Sequence, residues 1–429
     1  METNNKELTL IVHRGTHEIG GSCIEISTDN SRIIIDAGEQ LPSIDNKTKK
    51  KLGTLPKIRG VYKNDNLDQK VKGVLISHSH MDHFGLLNNL HNDIPIFISK
   101  ASQEFINLSY LFTPSGVKID SCTNFESGKT FCVGDFTITP YLVDHSAFDS
   151  YMFLIEVGKK RILYSGDFRT HGRKSKILNK HFKKIGNQID LLLLEGTTVD
   201  RPSKKLKTET DIEQEIVQTI QKNNTITLVN FASQNIDRIV SFYKASIRTN
   251  KLFVIDFYTA HVLNIAKEYS KIPYPSKSYK NIRVYYPFYL AKRISEQGNQ
   301  KLLYKFSHYK ITKEEIANNH RNIIMVIRPS VLFDLKKIDN LDRASLIYSM
   351  WEGYLNTPSM QKLREFADNK KMNFSKIHTS GHADIESLKI FINKIQPRII
   401  VPIHTNSPEK FTTFGENIKI LSDGEQLKF

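Results

Sequence analysis

Cysteine is scarce in this chain. Its 429 residues hold three, Cys23, Cys122 and Cys132. That is too few for a disulfide framework, and no Cys-x-x-Cys pair occurs, so buried thiols are expected. Long apolar runs are missing as well. No stretch approaches the roughly 18 consecutive apolar residues of a membrane span, so no membrane partner is expected. Met1 to Glu7 leads directly into the strand-like Leu8-Thr9-Leu10-Ile11-Val12. With no basic-then-apolar leader, a cytoplasmic location is expected. No internal repeat or low-complexity tract is visible. Acidic residues are outnumbered, 45 against 61 Lys and Arg, for a net charge of +16. Such a surface favours a polyanionic partner. Basic residues cluster at Lys47, Lys49, Lys50, Lys51, Lys57 and Arg59. They cluster again at Arg169, Arg173, Lys174 and Lys176, and at Lys204, Lys205 and Lys207.

What is present is concentrated. His78-Ser79-His80-Met81-Asp82-His83 follows the apolar Val74-Leu75-Ile76-Ser77. Three imidazoles and a carboxylate within six positions are too many costly side chains for packing alone. On a strand-to-loop turn, His78 and His80 are expected to point one way by strand alternation, with Asp82 and His83 on the next turn. One short segment could then serve two adjacent metal ions. Imidazole with carboxylate suits zinc, with iron and manganese as alternatives.

A hydrophobic content of 39% suffices for one large core or two domains. The first part reads as short strands, at 23–26, 32–36, 74–77, 96–98, 136–139, 151–155, 161–164 and 190–195. The clearest helix there is expected after Asp82. Beyond Glu195 strands and helices alternate, as in a parallel sheet with covering helices. Thr208 and Asp211 resemble a capping box. From about Lys376 the pattern returns to strand, helix, strand, with Ile385, Leu388, Phe391, Ile392 and Ile395 as one helical face. A last strand is expected over Ile418–Leu421. One domain is thus interrupted by another.

Further candidate ligands stand at strand ends. Asp36 precedes Ala37-Gly38 and could orient a metal-bound histidine from behind; a plain turn residue is the alternative. Asp167, after Gly166, could bridge two cations. His145, His382 and His404 are individually weak signals. His382 and His404, read as successive strand ends separated by one helix, would share a sheet edge, where open α/β sheets place their sites.

Together, His78-x-His80-x-Asp82-His83, His145 and Gly166-Asp167 resemble the metallo-β-lactamase fold, an αββα sandwich with a dinuclear zinc edge. Leu194-Glu195-Gly196-Thr197 resembles motif A of the β-CASP nucleases, Ser380-Gly381-His382-Ala383 motif B, and Pro402-Ile403-His404 motif C. Phe231-Ala232-Ser233-Gln234-Asn235 and Arg328-Pro329-Ser330 look like segments of the inserted domain. Bacterial ribonuclease J is the group most resembled.

The resemblance implies an α/β fold: a metallo-β-lactamase domain over 1–200 and 374–429, with an inserted α/β β-CASP domain over 201–373. It implies that His78, His80 and His145 hold one zinc, that Asp82, His83 and His404 hold the other, and that Asp167 bridges them, with manganese an alternative metal. Asp36 and Glu195 would be supporting carboxylates. His382 would touch the scissile phosphate, and Asp82, His382, Glu195 and Asp36 would serve catalysis. Ser233, Ser380 and Gly381 are candidate phosphate contacts. The implied activity is hydrolysis of single-stranded RNA by metal-activated water, exo- or endonucleolytic, in a basic cleft closed by the inserted domain. A DNA nuclease, a non-nucleolytic metallohydrolase and a metal-binding regulator are the alternatives; the motif C histidine leans towards RNA. Thr405-Asn406-Ser407-Pro408 departs from the glycine that often follows that histidine. The chain is expected to lack the C-terminal assembly domain of ribonuclease J, which leaves monomer and homodimer both open.

Overall fold

The computed structural model describes residues 7–41, 54–113, 116–202 and 206–429. Two compact units divide the chain. The first comprises Met1–Asn107, Ser115–Lys205 and Gly381–Phe429, and the second Leu108–Pro114 and Leu206–Ser380.

In chain order the first unit supplies strands β1 (Thr9–Arg14), β2 (Cys23–Ser27), β3 (Arg32–Ile35), β4 (Val71–Ile76), β5 (Ile96–Ser99), β6 (Thr123–Phe125), β7 (Phe131–Val133), β8 (Phe136–Val143), β9 (Ser150–Val157), β10 (Lys160–Tyr164) and β11 (Leu191–Glu195). The second supplies β12 (Thr227–Asn230), β13 (Leu252–Asp256), β14 (Ile282–Tyr285), β15 (Ile323–Ile327), β16 (Ser345–Tyr348) and β17 (Asn373–Lys376). The first unit resumes with β18 (Ile399–Ile403) and β19 (Gln426–Lys428).

Two sheets build the first unit, in the orders β19-β1-β2-β3-β4-β5-β6 and β18-β11-β10-β9-β8-β7. One buried cluster joins their inner faces, with Leu10, Ile24 and Ile35 from one sheet and Phe153, Tyr164 and Leu193 from the other. Helices Ile177–Ile185 and Ile385–Ile395 cover the second sheet through Phe182, Leu388 and Phe391. Of the expected helical face, Leu388, Phe391, Ile392 and Ile395 are buried and Ile385 is half-buried. This is an αββα sandwich. The second unit is a parallel sheet, β14-β13-β15-β12-β16-β17. The Thr208–Asp211 capping box forms, and it opens helix Glu209–Gln221.

Several expectations fail. β4 stops at Ile76, so strand alternation does not aim His78 and His80; residues 77–80 are irregular. The helix expected after Asp82 is a single turn, Met81–Phe84. It stops at Gly85, where any Cβ would lie 2.6 Å from the Met81 carbonyl oxygen. The longer helix is Lys100–Phe112. Residues 374–380 lie in the second unit, not the first. β17 pairs in parallel with β16, and Ile377 N donates to Tyr348 O at 3.0 Å. His382 therefore ends no strand of the sandwich, and the shared sheet edge expected for it and His404 is absent. Residues 418–421 make an isolated bridge from Ile418 to Ile400, and the closing strand is β19, paired with β1. The basic residues Lys47, Lys49, Lys50, Lys51, Lys204 and Lys205 lie outside the described residues.

Candidate metal centre

Five segments of the first unit meet at one end of the sandwich. The loop after β4 brings His78, His80, Asp82 and His83. The loops after β3, β8, β10 and β18 bring Asp36, His145, Asp167 and His404. Backbone geometry makes this close approach possible. Gly38 leaves no room for a side chain, since a Cβ would fall 1.7 Å from the Asp82 carbonyl oxygen. Gly166, at φ +54°, turns the chain against the Tyr151 carbonyl and delivers Asp167. Asp36 and His404 adopt left-handed φ values of 59° and 51°. Such conformations in non-glycine residues collect at functional sites.

Asp167 stands at the centre. Its Oδ2 lies 3.1 Å from His83 Nε2, 3.8 Å from Nε2 of His78 and of His404, 3.9 Å from His145 Nε2 and 3.8 Å from His382 Nδ1. Asp82 Oδ2 is 3.2 Å from His404 Nε2. Among the described residues, ligand atoms within 4.8 Å of one another form four groups: His78-His80-His145, His78-His83-Asp167, Asp82-His83-His404, and Asp167-Glu195-His382-His404.

The protein behind the imidazoles fixes which nitrogen faces inward. His83 Nδ1 donates to Asp36 Oδ2 at 2.7 Å, and His145 Nδ1 donates to the Gly381 carbonyl at 2.6 Å. Thr197 Oγ1 donates to His404 O at 3.3 Å and accepts from His404 Nδ1 at 2.7 Å. Each arrangement turns Nε2 towards the centre, where the neutral ring would offer its lone pair to a metal. Asp36 also accepts from Ser77 N, Ser77 Oγ and Tyr164 OH at 2.7, 2.8 and 2.6 Å. Glu195 accepts from Phe168 N and Thr197 N, and faces His382 Nδ1 at 3.2 Å.

Protonation follows the same logic. Burial, reinforced by neighbouring imidazoles, holds His78 and His145 well below the usual histidine range. Burial brings His80 to about 4. Neutral imidazole is the form that ligates metal. Burial also opposes charge on Asp82 and Asp167. His83 and His404 overcome it, holding Asp82 at about 2 and Asp167 well below the carboxylate range. Against burial, Asp167 chiefly raises His83 and His404. These two imidazoles thus take the place of positive charge beside the carboxylates. His78 Nε2 is buried without a hydrogen-bond partner among the described residues. An orphaned inward nitrogen beside ionised carboxylates fits a divalent cation.

The other expected residues fall elsewhere. Ser233 sits in the second unit, where Arg328 donates to it at 2.5 Å and Thr259 Oγ1 lies 2.8 Å away. Ser380 is buried in the second unit, whereas Gly381 belongs to the first and holds His145 through its carbonyl. Arg169, counted above in a basic cluster, is buried. Its Nε pairs with Asp144 at 2.9 Å, while the Lys174 amide reaches the other Asp144 oxygen at 2.7 Å. This clasp fixes the loop carrying His145. Tyr164, Ser77 and the side chain of Thr197 escaped sequence reasoning. Their partners lie up to 207 positions away, and nothing local marks a tyrosine or threonine as a histidine's support.

A sandwich of two mixed sheets with a histidine–aspartate cluster at its loop end is the metallo-β-lactamase arrangement. Residues 31–226 match the family described as "Beta-lactamase superfamily domain", and residues 369–424 match "Zn-dependent metallo-hydrolase RNA specificity domain". The chain thus carries a metallo-β-lactamase domain together with an RNA specificity domain. Ribonuclease J of Helicobacter pylori is 24% identical over 442 residues, covering 96% of this chain and 60% of that protein. The chain therefore spans about 60% of that relative's length. An RNase J-like protein of Methanocaldococcus jannaschii is 24% identical, covering 91% of each chain. A protein of unknown function from Enterococcus faecalis V583 shares the fold, with a TM-score of 0.76 at 23% identity over 99% of this chain and 100% of that one. Among the described residues no helix is long and apolar enough to cross a membrane.

Proposed function

We propose that this chain is a zinc-dependent ribonuclease that hydrolyses phosphodiester bonds of single-stranded RNA. The observation that carries the reading is one carboxylate oxygen, Asp167 Oδ2, within 3.9 Å of five imidazole nitrogens. A carboxylate so surrounded suits a bridged two-ion site. His78, His80 and His145 would hold one zinc, Asp82, His83 and His404 the other, and Asp167 both. Manganese would be accommodated by the same nitrogen and oxygen donors. Bound ions would supply Lewis acidity to the phosphodiester and lower the pKa of attacking water.

The chain's own groups do the rest. Asp36 holds His83, Thr197 holds His404 and the Gly381 carbonyl holds His145, so that each presents its Nε2. Glu195 orients the ring of His382 through Nδ1, and this part-exposed histidine would contact a scissile phosphate. Ser233, Ser380 and Gly381 remain candidate phosphate contacts. RNA as substrate draws support from the name of the Helicobacter relative, the RNA specificity domain and the net charge of +16.

The test is RNA cleavage by metal-depleted, zinc-restored protein, wild type against Asp167→Ala. Loss of cleavage with Asp167→Ala is expected, and full cleavage would overturn the mechanism. RNA and DNA of one sequence, assayed side by side, test the substrate: equal or faster DNA cutting would reassign it. Fragment lengths from 5′-phosphorylated and 5′-blocked RNA distinguish exonucleolytic from endonucleolytic cutting.

A further inference from the structure

The second unit exposes aromatic rings that its core does not use. Phe288 and Tyr289 begin helix Phe288–Glu296 and are 50% and 56% exposed. Phe333, from the short helix Leu332–Leu335, packs beside both. Its ring centroid is 5.7 Å from Phe288 and 4.9 Å from Tyr289, and those two are 5.3 Å apart. The three rings are held, not draped. Asp334, buried, accepts from Phe288 N and from Tyr285 OH, each at 3.0 Å, and pairs with Lys313 at 2.9 Å. One carboxylate thus pins the two segments that carry the rings.

The rim is basic. Lys337 Nζ lies 3.9 Å from the Phe333 centroid, and Lys336 and Lys337 are exposed. Lysine is depleted at protein–protein interfaces. Pre-set aromatic faces beside lysines are the means by which proteins hold unpaired bases and their phosphates. We propose that Phe288, Tyr289 and Phe333 form a stacking platform for bases of single-stranded RNA, with Lys336 and Lys337 on its backbone. The platform rests on the reading of RNA as substrate. It lies within the second unit and uses none of the residues assigned to the metal centre.

The experiment is fluorescence anisotropy of the full zinc-loaded chain with a fluorescein-labelled oligoadenylate, its backbone phosphorothioate to slow cleavage. Phe288→Ala and Tyr289→Ala are expected to weaken binding roughly five- to hundredfold each, while Tyr289→Phe retains it. Lys337→Gln, at an exposed side chain, is expected to reduce the slope of log affinity against log salt by about 0.7. Hydrolysis of bis(p-nitrophenyl) phosphate, too small to span the platform, stays unchanged in all four variants. Wild-type RNA affinity and salt slope in the folded variants would overturn the platform while leaving the ribonuclease reading intact. A wild-type chain that holds no RNA would overturn both. Retained RNA affinity with loss of concentration-dependent self-association would identify a protein contact instead and overturn the proposal.

Discussion

Replacing Asp36 by asparagine tests the support of the centre without touching a proposed ligand. The wild-type carboxylate accepts four hydrogen bonds, one on Oδ1 from Ser77 N and three on Oδ2, from Ser77 Oγ, His83 Nδ1 and Tyr164 OH. An amide cannot reproduce this. With its NH2 group at the Oδ1 position, it meets the Ser77 amide donor to donor. Flipped, its NH2 group faces His83 Nδ1, which must then surrender its proton. His83 would then hold its remaining proton on Nε2, the atom turned towards Asp167. Losing a bond to a charged acceptor costs about 1.5–3 kcal/mol, and an unsatisfied buried donor about 1–3 kcal/mol. A loss of about 3 kcal/mol in urea stability of the metal-free protein is expected. Zinc affinity, measured by chelator competition, should fall about 10- to 100-fold. A folded Asp36→Asn protein that binds zinc within about twofold of wild type would refute the claim that Asp36 sets the His83 tautomer.

Three further outcomes are expected. Thr197→Val removes the partner of His404 Nδ1 and should lower zinc affinity about tenfold, while Thr197→Ser restores it; chelator competition reads both. In the second unit, Arg238 and Glu209 form a fully buried pair at 3.1 Å. Glu209→Ala leaves the guanidinium uncompensated and should cost about 3–5 kcal/mol in urea unfolding, with Glu209→Gln milder. His261 is held at about 4 by burial, with Lys305 adding to the effect and the bond to the Leu302 carbonyl opposing it. The unfolded chain binds this proton near pH 6.5, the folded chain only near 4. This contribution is thus intact above pH 6.5 and lost as pH falls from 6.5 towards 4, on the order of 3 kcal/mol. Urea midpoints of wild type and His261→Gln across that range should converge as the pH falls.

Much of the centre was legible because its chemistry is locally dense. His78, His80, Asp82 and His83 share one loop, and no packing demand assembles three imidazoles there. Asp36, Asp167 and His404 were visible as polar residues closing apolar strands. Strand alternation does not aim His78 and His80, because the strand ends before them and the loop places their rings. Residues 374–380 were misassigned for a related cause. The strand expected from about Lys376 is instead Asn373–Lys376, and only its pairing with β16 places it in the second unit.

By itself the sequence determined the donor chemistry, the alternation of strands and helices, and the interruption of one domain by another. These are properties of residue type and short spacing. The tertiary structure alone decided which atoms meet. Asp82 and His404 are 322 positions apart and 3.2 Å apart in space. Thr197 meets His404 because β11 and β18 lie side by side, and Tyr164 meets Asp36 because the two sheets of the first unit face each other. A hydrogen bond closed across a sheet leaves no periodicity in the chain, since its energy depends on where the backbone goes and not on what stands next to it.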